Sequence, residues 1–124
     1  MLIVATILCL AICMLIIEKS AVQRSVRSLT LRIHVNGTRG KSSVTEYIAA
    51  GLFHAQPDVM VKITGIVPTI LHNGEKRTIT REGSARVQEQ FDVIRLAAKN
   101  NVKSLVLECM SITPELQRLE SHFF

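Results

Sequence analysis

Tryptophan is absent from the 124-residue chain, and one tyrosine with four phenylalanines leaves aromatics at 4%. So few flat side chains offer few platforms for stacking bases, and nucleic acid is not an expected partner. Cysteine is equally scarce. Cys9 and Cys13 fall inside an apolar run, one helical turn apart, and Cys109 follows a glutamate. No CxxC pair occurs, so the cysteines read as small apolar filler in a reducing compartment rather than as a redox or metal site. The composition also excludes a collagen-like repeat, a long disordered tail and a disulfide-stapled miniprotein. Charge is missing altogether from Met1 to Ile17. The length suits one domain with a modest core.

The uncharged run, MLIVATILCLAICMLII, would form a helix about 25 Å long, just enough to span the apolar part of a bilayer. A buried core helix is the other account of such a run. A signal peptide fits less well, because no basic residue precedes the run and Glu18, Lys19 and Ser20 follow it in place of a small-residue cleavage pattern. Beyond it, Lys19, Arg24, Arg27, Arg32, Arg39 and Lys41 stand against Glu18 alone, whereas from Ser42 onward nine basic residues balance nine acidic ones. Positive charge gathered on one flank is unlike a DNA-binding surface spread over a domain. By the positive-inside rule it puts everything after Glu18 in the cytoplasm. The expected organisation is a single-pass anchor at 1–18, a basic juxtamembrane linker at 19–30 that meets anionic lipid or merely solvent, and an α/β domain at 31–124.

Within that domain, Leu31, Ile33 and Val35 alternate with polar neighbours as a short strand does. A glycine-bearing turn, 37–40, leads into a helix over 42–55 with Val44, Ile48 and Leu52 on one face. A strand is expected at 59–63, and a hairpin over 69–80 turning at Asn73-Gly74. A second helix at 85–100 carries the stripe Val87, Phe91, Ile94 and Ala98. The apolar run 102–107 suits a strand buried on both faces of a parallel sheet. Pro114 after Thr113 opens a last helix, with the threonine as cap.

The segment Gly37-Thr38-Arg39-Gly40-Lys41-Ser42-Ser43 sits between the first strand and its helix. A glycine-rich turn there lets backbone N–H groups converge on a phosphate, with the helix N-terminus adding favourable dipole charge. Lys41 would reach the β and γ phosphates and the Ser42 hydroxyl would ligate Mg²⁺. The general Walker form asks for another glycine where Val35 stands, so a plain turn with a solvated lysine remains the alternative. Magnesium beside phosphates usually needs a carboxylate, and open α/β sheets place chemistry at the carboxyl ends of strands. Glu108 is where that rule points, unless it simply emerges into solvent. His34, His54, His72 and His122 show no ligand spacing and read as structural or exposed.

The stretch Arg32 to Thr45 closely resembles the N-terminal region of the poly-γ-glutamate synthase ATPase/ligase subunit, the CapB/PgsB group. That group is similar to Mur ligases and folylpolyglutamate synthetases, whose phosphate loop likewise lacks the early glycine. Three further patches agree in order and spacing. Lys62-Ile63-Thr64-Gly65 looks like the family's Lys-Thr-Thr-Gly, with Ile63 a departure, and Glu89-Gln90 matches a Glu-Gln pair. Glu108-Cys109-Met110 with Pro114, Glu115 and Gln117 resembles its Glu-Cys-Met run. An apolar anchor also fits.

The resemblance implies a P-loop, Mur ligase-like parallel-sheet ATP-binding domain that forms amide bonds. A chain-terminal carboxylate becomes an acyl phosphate, and the amine of glutamate attacks it. Gly37, Thr38, Gly40, Lys41, Ser42 and Ser43 would bind ATP, Ser42 and Glu108 would hold Mg²⁺, and Lys41 and Glu108 would serve catalysis. Arg39 fills a variable slot and receives no chemistry. Implied partners are glutamate, the poly-γ-glutamate chain, the membrane and other membrane subunits of the synthase. Such ligases continue well beyond the position where this chain stops, so the segment is expected to be the first part of one and inactive alone. A membrane-tethered P-loop NTPase or kinase of other specificity, or a non-catalytic assembly module, would share the same loop.

Overall fold

The computed structural model describes residues 1–81, 83–122 and 124. Its first element, α1 (Leu2–Arg27), is one unbroken helix of 26 residues. The apolar half is exposed, and it is long and apolar enough to cross a membrane. Thr6 turns its hydroxyl back onto the carbonyls of Leu2 and Ile3, at 3.1 and 2.8 Å, which satisfies the polar atom inside the apolar run. The stretch 19–30, read from its charge as a linker, is helical as far as Arg27. Val22, Val26 and Leu29 recur there at helical spacing and are buried in the domain core. Basic side chains mask this stripe in a composition count.

The remaining elements are β1 (Leu31–Val35), α2 (Lys41–Ala55), β2 (Val59–Ile63), β3 (Thr69–His72), β4 (Glu75–Thr78), α3 (Gln88–Lys99), β5 (Ser104–Glu108) and α4 (Pro114–Ser121). The five strands form a sheet in the order β1-β5-β2-β3-β4. β5 pairs in parallel with β1 on one side and β2 on the other, while β2-β3-β4 run antiparallel. The sheet is therefore mixed, and the expected parallel arrangement holds only for its first three strands. The hairpin turns at Asn73 (φ 52°) and Gly74 (φ 77°), the two positive angles of a primed turn.

β2 and β5 are buried along their whole length, and their alternating side chains feed two cores. Met60, Leu105 and Leu107 meet α1 and α3, while Val59, Val61, Ile63 and Val106 meet α2. The chain steps from β1 over α2 to β2, then back over α3 to β5. Opposite steps with helices on opposite faces are what right-handed crossovers require. The strand ends at β1, β5 and β2 thus share one rim.

Both helical stripes are rotated from the expected positions. α2 buries Thr45 and Ala49 with Ile48 and Leu52 beside them, and Val44 is exposed. α3 buries Gln90, Val93, Ile94 and Ala97, leaving Val87 and Ala98 at the margin. Small residues win because they let a helix approach the sheet closely, and Gln90 turns inward because it has partners there. Thr113 occupies the N-cap position of α4 in extended conformation, but its side chain makes no capping hydrogen bond.

Candidate functional site

Val35 ends β1 opposite Glu108, the last residue of β5, so the pairing register sets the loop after β1 beside that carboxylate. Val35 is buried in the α2-side core, which explains an apolar side chain where a Walker pattern has glycine. The loop is shaped locally: the Asn36 carboxamide oxygen accepts from the Gly37 N–H at 2.8 Å. Gly40 stands at the N-cap of α2 with φ 75°, an angle that a residue with a side chain adopts only at a cost. Lys41 opens the helix and donates its ammonium to the Gly37 carbonyl at 3.0 Å, closing the loop on itself. The first N–H groups of an α-helix have no intrahelical acceptor, so this end of α2 is disposed toward an anion.

Two adjoining clefts meet at Thr38 and Lys41. The larger, about 630 Å³, is lined by Asn36, Gly37, Ser111, Ile112 and Gln117 as well. The smaller, about 350 Å³, adds Arg39, Gly40, Ser42, Ser43 and Glu108. All the residues expected to bind phosphate or metal are therefore brought to one place. Glu108 does not emerge into solvent; it is 4% exposed and accepts the Ser42 hydroxyl at 2.9 Å and the Thr64 N–H at 2.7 Å. Its burial is thus compensated by donors. Gly65 follows beside Ser42, where an added Cβ would make ordinary contact with the hydroxyl oxygen at 3.5 Å.

Behind the rim lies a second polar network that ties the remaining motif residues together. Lys62, fully buried in β2, donates to Glu89 and Gln90, both at 2.8 Å, and contacts the Met110 sulfur at 3.3 Å. Burial pulls its ammonium below the ordinary lysine range, and Glu89 opposes that shift. Burial raises the Glu89 carboxyl, but the Arg81 fork at 2.7 and 2.8 Å and Lys62 together hold it below the usual range. Gln90 donates to the Glu108 carbonyl and to Glu120, both at 3.0 Å. Glu120 also accepts from Ser111, from the Met110 N–H and from His34. Burial disfavours its charge, yet these donors bring its carboxyl down to about 2.

His34 therefore has a structural role, paired with Glu120 at 3.2 Å and stacked on Phe124. Cys109 is buried and its thiol is pushed up by desolvation, which makes it a poor nucleophile. Sequence reasoning missed Glu120 and Ser111, and gave no role to Asn36 and Thr64, which lie within the resemblance patches. Nothing in the spacing of α4 sets Glu120 apart from Glu115, because its partners arrive from β1, α3 and the loop after β5. Asn36 faces Gln117 at 3.4 Å across the larger cleft, again a meeting of distant segments.

Fold and rim define an α/β protein whose glycine loop joins a strand to a helix beside a buried carboxylate. The chain is 31% identical over 105 residues to the PGA synthase CapB of Bacillus subtilis (strain 168), covering 82% of this chain and 27% of that protein. It is 29% identical over 103 residues to the capsule biosynthesis protein CapB of Bacillus anthracis, covering 81% and 22% respectively. The chain belongs to this CapB/PgsB group. It spans about a quarter of the length of these curated relatives. No protein-family model matches the chain, and no solved structure matches it.

Proposed function

We propose that the chain supplies the ATP-binding part of an ATP-dependent ligase of poly-γ-glutamate synthesis, with a P-loop fold like that of the Mur ligases. The observation that carries this reading is the 2.9 Å contact of Ser42 with Glu108 at the N-terminus of α2, beside Lys41. The donors are a hydroxyl and a carboxylate, hard oxygen ligands of the kind Mg²⁺ takes alongside phosphate and water. When bound there, Mg²⁺ would neutralise charge on the phosphates. Gly37, Thr38, Gly40 and Ser43 line the phosphate position with short side chains and backbone N–H groups.

Lys41 leaves the Gly37 carbonyl for the γ-phosphate, exchanging a neutral acceptor for an anion. A carboxylate oxygen at the end of the growing chain attacks the γ-phosphorus and displaces ADP, giving an acyl phosphate. The amine of glutamate then attacks the acyl carbon and releases phosphate. The residues on this rim act by positioning and charge neutralisation. The larger cleft, bordered by Asn36 and Gln117, is the approach for the carboxylate. The names of the relatives, PGA synthase and capsule biosynthesis protein, support the substrate class. α1 anchors the domain on the cytoplasmic side of the cell membrane, where other membrane subunits of the synthase would meet it.

Titration of the membrane-solubilised protein with MgATP tests the loop. Lys41→Ala should weaken binding by about a hundredfold, and unchanged affinity would overturn the assignment. Phosphate release from ATP that rises on addition of glutamate supports the ligase. Turnover indifferent to glutamate favours an NTPase of other specificity.

A further inference from the structure

The two ends of the sheet differ in what they expose. Outside α1 and α2, every large apolar side chain exposed among the described residues lies at the rim that carries the phosphate loop: Ile66 and Val67 after β2, and Ile112, Leu116 and Leu119 after β5. At the opposite end the turns are polar, with Asp58, Asn73, Asn100, Asn101 and Lys103. Such an exposed apolar set at one end marks a contact surface.

α1 shows what that surface meets. Glu18 contacts Arg95 at 3.0 Å and Gln88 at 3.4 Å, whereas Val26 and Leu29 pack in the core with Ala97 and Val102. α1 and α3 therefore run in the same direction, opposite to β1 and β5. The apolar end of α1 consequently points away from the domain past the phosphate-loop rim. A groove of about 420 Å³ joins the two, with Leu15 and Lys19 on α1, Phe91 on α3 and Leu119 on α4 among its walls. Leu15 belongs to the spanning run, so this groove opens where α1 would enter the bilayer. Val22, the first core residue of α1, follows Ile17 by about 7.5 Å of helix. That distance leaves no room for a spacer.

We propose that the phosphate-loop end of the domain rests on the bilayer surface, with phospholipid seated in the groove between α1, α3 and α4. Lys19 meets lipid phosphate at its mouth, and Leu15, Phe91 and Leu119 meet the upper acyl chain. Arg24 and Arg27, one to three turns further along α1, lie toward the far end of the domain and away from the headgroups. The polymer would then be extended at the membrane face. This rests on the reading of α1 as a membrane anchor.

The test uses the full chain in phosphatidylcholine–phosphatidylglycerol vesicles carrying a headgroup-attached acceptor dye. Donor dyes are placed at Ile112→Cys or Glu75→Cys in a background with Cys9→Ala and Cys13→Ala. Energy transfer at 112 should exceed that at 75 several-fold, since the strands set the two ends about 15 Å apart. Equal or reversed transfer overturns the orientation. Release of the chain by alkaline carbonate overturns the anchor itself, and this inference with it. Independently of any substitution, photoactivatable headgroup lipids should label the unmodified chain within 112–122 and not within 73–78. The converse pattern would refute the proposal.

Discussion

Glu108 and Glu120 are both buried at the same end of the sheet, 4% and 2% exposed, yet they sit in opposite circumstances. Glu120 is saturated from within by Ser111, Gln90, His34 and the Met110 N–H, and it closes α4 onto β1 and α3. Glu108 takes the Ser42 hydroxyl and the Thr64 N–H, and it borders a cleft with Lys41 and the glycine loop. Burial alone thus does not mark a functional carboxylate. What separates them is whether the donors could be exchanged for a ligand without dismantling the core.

The largest expected effect falls on the saturated member. Glu120→Ala removes the acceptor of four donors and should lower unfolding free energy by about 3 kcal/mol, read by urea denaturation, while MgATP affinity below the transition stays unchanged. A parallel loss of affinity would erase the distinction between the two glutamates. The same carboxylate gives a pH signature. Its folded value of about 2 lies below that of an unfolded glutamate, so its contribution is complete above about pH 5 and disappears as pH falls toward 2. Glu120→Gln should diminish the acid limb of the stability profile, with Glu89, shifted in the same direction, supplying what remains.

Next in size is Lys41→Ala, for which a loss of about a hundredfold in MgATP affinity, some 2.7 kcal/mol, is expected with an unchanged urea midpoint. Glu108→Gln should come third. It keeps the shape, with the carboxamide oxygen accepting from the Thr64 N–H and its NH2 donating to the Ser42 hydroxyl, but removes the charge, so magnesium dependence should weaken by about tenfold while binding without the metal changes little. A collapse in stability instead would make Glu108 a second Glu120. Smallest is Arg39→Ala, which lines the cleft without an assigned contact and should alter affinity by less than about threefold.

Several of these features were legible in sequence because they depend on neighbours along the chain. Val59–Ile63, the Asn73-Gly74 turn and the opening of α4 at Pro114 are local matters of a short apolar run, positive φ and fixed φ. So is the glycine loop. The resemblance patches looked like separate motifs, and their meeting was not visible: Lys62 on β2 holds Glu89 and Gln90 of α3 and Met110 of the loop after β5. The stripes of α2 and α3 were placed only in part: Ile48, Leu52, Phe91 and Ile94 do meet the cores, but apolar spacing also counts Val44 and Val87 and cannot know that Gln90 will find partners inside.

The residues by themselves determined the apolar span of α1, the strand–glycine loop–helix unit and the carboxylate at the end of the most apolar strand, since each follows from short-range sterics and hydrophobic pattern. Only the tertiary structure decided that β5 inserts between β1 and β2 and so sets Glu108 beside Ser42. It alone sealed Glu120 inside and turned the loop end of the sheet toward the apolar end of α1. Those outcomes rest on contacts between segments far apart in the chain, where pairing register and packing, rather than local propensity, set the free energy.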